Sequence, residues 1–199
     1  MGFSGHGFVV AEAAFSSNMN LKYYSEINEL TTNPYNLKYM GFENDDSFKG
    51  WQENYSFILG IGDNKLREKV SELIISKKIK ILNVIHNSSL ISKEVKIGKG
   101  NFIARNVSVN PLAVINNFCI LNTGCIVEHE CVIEDFAHIA PGAVLAGNVT
   151  VGKRTFVGAN SVVKHGVVIG DDVVIGAGTV VINDVSSGKK IVGNPSREI

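Results

Sequence analysis

From Ile91 to Val181 an aliphatic residue returns at every sixth position without a break: Ile91, Ile97, Ile103, Val109, Ile115, Leu121, Val127, Ile133, Ile139, Leu145, Val151, Val157, Val163, Ile169, Ile175 and Val181. Four residues further on, the hexads carry a small or β-branched residue, as at Ala113, Cys119, Ala137, Val149 and Thr155, with Asn101 the one misfit. The residue just after the aliphatic is mostly Gly, Ala or Asn, which suits a tight corner. A period of six fits neither an α-helix nor plain strand alternation. It predicts a solenoid of short parallel strands, three hexads to a coil, with the aliphatic and the small residue stacked inward. The run is long enough for about five coils, each rising about 4.8 Å. No insertion breaks the register, so no loop is expected to project from the stack.

Residues 88–199 hold this solenoid, and 1–87 follow another pattern. Gly2-Phe3-Ser4-Gly5-His6-Gly7 reads as a glycine-rich turn, Phe8 to Ser16 as a helix, and Asn33-Pro34 as a loop. Tyr39 to Phe42 is a candidate short strand, closed by the polar run Glu43 to Asp46, and Tyr55 to Ile61 a buried strand. Asp63 caps a second helix, with Leu66, Val70, Leu73 and Ile74 on its apolar face and Lys65, Arg67, Glu68 and Lys69 outside. Ile81 to Ile85 reads as a further strand. Strand, helix, strand alternation predicts a small parallel α/β domain of Rossmann-like type. Such a domain places a strand before its glycine turn, so a first strand is expected upstream of Met1. The turn at Gly2 to Gly7 and the helix start at Asp63-Asn64 are the places suited to phosphates. A plain strand-to-helix turn explains the glycines equally well. Dinucleotide sites place an acidic residue about 20 residues past the turn. The run Glu43 to Asp46 comes much later, so a nucleotide-linked sugar is expected rather than NAD.

Composition narrows the class. Lys and Arg number 19, Asp and Glu 19, so the net charge is zero and no basic face suggests nucleic acid. No apolar run approaches the roughly 18 residues of a membrane helix. The chain does not open on a secretion signal, and three cysteines leave one without a mate, so a reduced cytoplasm is expected. Cys119, Cys125 and Cys131 stand six apart, one per face of a coil, which is no metal spacing and fits inward fillers.

Ser4-Gly5-His6-Gly7, the stretch Ile61 to Arg67, Asn122-Thr123, Val127-Glu128-His129-Glu130-Cys131, His138, the stretch Ala146 to Val149, and Gly193-Asn194-Pro195 together resemble the hexapeptide-repeat sugar acetyltransferases. This group includes the bacillosamine-pathway and perosamine N-acetyltransferases and the sialic-acid O-acetyltransferases. The resemblance implies an N-terminal α/β domain followed by a left-handed parallel β-helix; the left hand comes from the resemblance alone. It also implies a nucleotide-linked sugar held at Ser4, Gly5, His6, Gly7, Asp63 and Asn64. Acetyl-CoA is implied along the β-helix between subunits of a homotrimer, against His138, Gly147, Ala159, Asn160, Gly176 and Ala177. No metal is implied.

His129 occupies the third place of its hexad, off the inward positions, with Gly147 one coil on and His165 two. A neighbour without a side chain leaves a notch for a thioester or an acceptor. An imidazole titrates near neutrality and takes a proton from an attacking amine or hydroxyl, and Glu130 would orient it. Taken alone, His129 is also what an ordinary surface histidine looks like; the resemblance makes it the catalytic base. His138 belongs to an outward column with Phe102, Ile120, Phe156 and Val174. An exposed apolar stripe of that kind calls for a partner, so a homotrimer is expected with His138 in the subunit groove against the thioester. Simple packing explains His138 almost as well. Lys153, Arg154, Lys189, Lys190 and Arg197 are candidates for the CoA phosphates. The expected function is N-acetylation of a nucleotide-linked amino sugar from acetyl-CoA in surface-glycan biosynthesis. O-acetylation of a sialic-type sugar and a non-catalytic solenoid scaffold are the alternatives.

Overall fold

A computed structural model describes residues 1–199. The hexads form three parallel sheets around one axis. One sheet carries Phe102, Ile120, His138, Phe156 and Val174 in register. The second carries Leu90, Ser108, Ile126, Val144, Val162 and Val180. The third carries Lys96, Val114, Val132, Thr150 and Val168. The chain visits the His138, Val144 and Val132 sheets in turn, so each corner residue has a fixed address. Inward aliphatics from Ile103 to Val181 are at most 1% exposed. Each contributes about 1.5–3 kcal/mol by leaving water. Asn101 is buried among them because its amide is fully used: Nδ2 donates to the Asn116 carbonyl at 2.8 Å and Oδ1 accepts from Cys119 N–H at 2.6 Å.

The stack starts one rung earlier than the hexads suggest. Val84–Ile85 pairs with Phe102–Ile103, so Ile81 to Ile85 ends as the first rung of the solenoid and is not a strand of the N-terminal domain. The reason is register: the Val84 and His86 amides donate to the Asn101 and Ile103 carbonyls, extending the ladder above. The N-terminal domain retains little regular sheet. Tyr23–Tyr24 pairs with Lys38–Tyr39, and Phe57 meets Ile81 through a single parallel bridge. Met1 and Gly2 occupy the lane beside this segment, donating to Ile58 and Ser25 carbonyls.

Two helices complete the domain, α1 (Gly5–Ser16) and α2 (Asn64–Ser76). Asp63 caps α2, its Oδ1 accepting Leu66 N–H at 2.8 Å. The buried face of α2 is Arg67, Val70, Ser71 and Ile74, while Leu66 is half exposed. The apolar stripe thus passes through Arg67 rather than Leu66, which corrects the placing of Arg67 outside. Helix α1 lays Val10, Ala13 and Ala14 into the same core cluster as Phe102 and Ile120. This overturns the argument that a second copy must cover the outward column. Phe102 and Ile120 are already 3% and 1% exposed within the single chain, with His6 of α1 at 5.4 Å from the Phe102 ring, and the upper end, at Val174, is open. No helix is long and apolar enough to cross a membrane.

Candidate active site

The corner between the Val144 and Val132 sheets carries His129. Glu130 beside it takes a left-handed backbone, φ 60°, which turns the chain from one sheet into the next. The His129 carbonyl accepts Asn148 N–H at 2.8 Å, fixing the corner to the coil above. The ring Nδ1 lies 3.1 Å from Glu130 Oε2. With the carboxylate accepting Nδ1–H, the free lone pair sits on Nε2, the geometry of a base. The side chain is about half exposed, and His165 lies 6.2 Å on, ring to ring. Gly147 lies between them, but the notch above it is not empty. A Cβ on Gly147 would stand 2.4 Å from both Cε1 and Nε2 of His129, so the imidazole itself occupies that space. The glycine is what allows the ring its pose.

His138 lies on another face. It is 7% exposed, under Gly62 of the loop leading into α2, with His6 of α1 at 6.1 Å and Phe156 at 5.0 Å. The single chain already covers it, so no open groove surrounds it. Burial, then the nearby Arg67 charge and His6, push His138 down to about 3. His6 is pushed down to about 4 by burial and by Arg67. Both rings are neutral at physiological pH.

A cleft of about 430 Å³ opens between the two helices and the loop at Phe42 to Asn44. Ser4, His6 and Asp63 line it, as expected of substrate contacts. Gly5 and Gly7 do not. Gly7 serves close approach instead: a Cβ there would lie 2.4 Å from the Gly2 carbonyl oxygen. Asn64 also points away, its Nδ2 donating to the Arg154 carbonyl at 2.8 Å, so it ties α2 to the solenoid. Glu26 and Glu43 line the cleft; Glu43 was read only as part of a polar run, and Glu26 went unremarked in the sequence. Glu26 stands about 20 residues past the glycine turn, the spacing of an acidic ribose ligand. Acid spacing therefore does not separate a dinucleotide from a nucleotide sugar here. Glu26 accepts the Phe3 and Ile27 amides, and Ser25 donates to Glu43.

The residues expected along acetyl-CoA fall at two corners flanking the Val144 sheet. Gly147 shares the His129 corner; Ala159, Asn160, Gly176 and Ala177 sit at the corner between the His138 and Val144 sheets. Asn160 and Ala177 are exposed, whereas a Cβ on Gly176 would lie 2.8 Å from Val192 Cγ1 of the covering C-terminal strand. Three of the basic candidates are engaged: Lys153 with Glu68 at 2.8 Å, Arg154 with Asp172 at 2.6 Å and Lys189 with Glu198 at 2.6 Å. Cys119, Cys125 and Cys131 are free and buried, the first two thiols pushed up to about 12 by burial. They are fillers and not nucleophiles.

Residues 1–74 match the model of the PglD N-terminal domain, and residues 148–182 that of the hexapeptide repeat of succinyl-transferase. PerB from Caulobacter crescentus, solved with CoA and GDP-perosamine, is 29% identical with a TM-score of 0.93, over 100% of this chain and 94% of that one. The acetyltransferase domain of PglB from Neisseria gonorrhoeae, solved with acetyl coenzyme A, is 25% identical with a TM-score of 0.92, over 100% of this chain and 96% of that one. Over its full length the chain is similar to sugar acetyltransferases of the hexapeptide-repeat type. WeeI from Acinetobacter baumannii shares the fold, at 24% identity and a TM-score of 0.90, over 100% of this chain and 97% of that one. In this chain the cleft and the His129 corner lie on opposite sides. The cleft lies against the His138 sheet, and His129 stands at the corner facing away from it.

Proposed function

We propose that the chain transfers the acetyl group of acetyl-CoA to the amino group of a nucleotide-linked amino sugar, in bacterial surface-glycan biosynthesis. The observation that carries the reading is the His129 ring, held at Nδ1 by Glu130 and presenting Nε2 over Gly147. The perosamine enzyme, similar along the full chain, is named for N-acetylation and was solved with a GDP-linked amino sugar. The amine attacks the thioester carbonyl, forming the C–N bond. Nε2 of His129 takes the proton, the C–S bond breaks, and CoA leaves with that proton as the thiol. No acyl-enzyme forms. The small or exposed residues Ala159, Asn160 and Ala177 suit a pantetheine arm, with Gly147 reached only beside the His129 ring that covers it, while Ser4, His6 and Asp63 bound the sugar-nucleotide cleft. In this reading His138 meets the thioester only at its 7% exposed edge, because Gly62 and His6 of the same chain cover the rest of the ring.

The cleft and the base lie on opposite sides of one chain, so the reading includes a homotrimer in which each site joins two copies. Val162, Val168 and Val174, each 41–48% exposed on the three faces, are the apolar surface for it. Light scattering that returned a stable 21.5 kDa monomer at micromolar protein would refute it. Three free thiols suit a reduced cytoplasm. The activity test measures CoA thiol release with UDP-, GDP- and dTDP-linked amino sugars and free sialic acids. Turnover confined to sialic acids would replace the N-acetyl reading with O-acetylation, and no turnover with any acceptor would leave a scaffold.

A further inference from the structure

Arg67 is the largest fully buried side chain in the molecule, 1% exposed, and no carboxylate stands within ion-pair distance of it. Buried guanidinium groups ordinarily find an anion, because desolvating the charge costs several kcal/mol. Here the fork is spent on neutral oxygens. Nε donates to the Phe118 carbonyl at 2.8 Å, Nη1 to the Ile61 and Gly62 carbonyls at 3.2 and 3.1 Å, and Nη2 to the Phe136 carbonyl at 2.7 Å and Asn64 Oδ1 at 2.8 Å. Phe118 and Phe136 are left-handed corner residues of successive coils, φ 59° and 63°. One side chain thus clamps two coils and the loop bounding the cleft.

The clamp reaches His138. The Gly62 carbonyl stands 3.4 Å from Nδ1 of that ring. On the other side Asn122 Nδ2 is 3.1 Å from Nε2, and Asn122 Oδ1 accepts Thr123 N–H at 2.8 Å, so the amide nitrogen faces the ring. A carbonyl at Nδ1 and an amide donor at Nε2 admit one arrangement, with the proton on Nδ1 and the lone pair on Nε2.

We propose that Arg67 is a positioning residue: its guanidinium fixes the Gly62 carbonyl over His138 and the Phe136 carbonyl beside it, and so holds His138 as a neutral ring protonated on Nδ1. The charged and titratable groups facing His138 are Arg67 from α2 and His6 from α1; Cys119 and Asp63 lie nearer the guanidinium. No carboxylate among them hydrogen-bonds the ring; the Gly62 carbonyl alone favours an imidazolium, and burial with the Arg67 charge outweighs it. His138 therefore carries no proton through the reaction, which leaves His129 as the acid–base group. The catalytic consequence rests on the proposed acetyl transfer, but the tautomer does not.

The test is a long-range ¹⁵N–¹H correlation spectrum of the histidines in the full, substrate-free chain, with acetyl-transfer kinetics beside it. Wild-type His138 is expected as the neutral Nδ1–H form throughout pH 5 to 8. Arg67→Lys keeps the charge but lacks the fork. It is expected to mix tautomers at His138 and to lower kcat roughly 10²-fold, the cost of about 1 Å of misplacement. A wild-type His138 protonated on Nε2, or titrating near pH 6.5, overturns the proposal without any variant, should Arg67→Lys fail to fold. A folded Arg67→Lys with wild-type spectrum and kinetics overturns it too. If no amino sugar is acetylated while the spectra behave as stated, the acetyl-transfer reading falls and the Arg67 assignment stands.

Discussion

Gly147→Ala separates the pose of the His129 ring, the proposed base, from the fold that carries it. The new Cβ would lie 2.4 Å from Cε1 and Nε2 of His129 and 3.1 Å from its Cδ2. Ordinary carbon contact is about 3.5–4.0 Å, so the ring must retreat by more than about 1 Å. It is free to do so, because the imidazole is the half-exposed end of a side chain. Gly147 has no left-handed backbone to strain. Stability should therefore change by less than about 1 kcal/mol, read as a denaturation midpoint. A displacement of about 1 Å at a reacting group costs up to roughly 10²-fold in rate. The assay is CoA thiol release at saturating substrates, with His129→Ala as the floor. A fall in kcat at constant KM for acetyl-CoA locates the effect in the ring. A kcat within about two-fold of wild type would refute the claim that the pose of His129 sets the rate.

His129→Ala should lower kcat by about 10²–10⁴ with little change in acetyl-CoA binding, and Glu130→Gln should fall between, since it only orients the ring. A His129→Ala protein as fast as wild type would end that assignment. Cys131→Ala should remain active, and an acetylated Cys131 found by mass spectrometry would end direct transfer. Stability should fall on acidification below about pH 6.5, because the unfolded chain takes up protons that buried His138 and His6 refuse until about pH 3 and 4. For His138 this amounts to about 2 kcal/mol at pH 5 at most. Denaturant titrations at pH 7 and pH 5 check it, and His138→Gln should flatten the difference; equal midpoints for wild type would contradict the burial argument.

The hexad period determined the solenoid by itself. A residue every six that is always aliphatic leaves each coil only one way to bury its interior, and the register follows from Ile103 to Val181. The placing of His129 was legible for the same reason, since the period puts it off the core with Gly147 one coil above; its role as the proposed base came from the resemblance. Helix α2 was legible from its cap, yet its face was read one position off. Leu66 and Arg67 are neighbours, and only docking against Phe118 and Phe136 decided which turned inward. A local pattern treats a buried arginine as surface because the carbonyls that satisfy it come from residues about fifty and seventy positions away. The outward column shows the same limit. Its apolar residues predict a cover, and tertiary packing supplied it from the same chain, with His6 of α1 against Phe102 and Ile120 left 1% exposed. Ile81 to Ile85 likewise had the composition of a strand, but its partner was decided by which open ladder its amides could reach. Periodic burial is a local property and can be read along the chain; the partners of a polar or edge group are chosen across it.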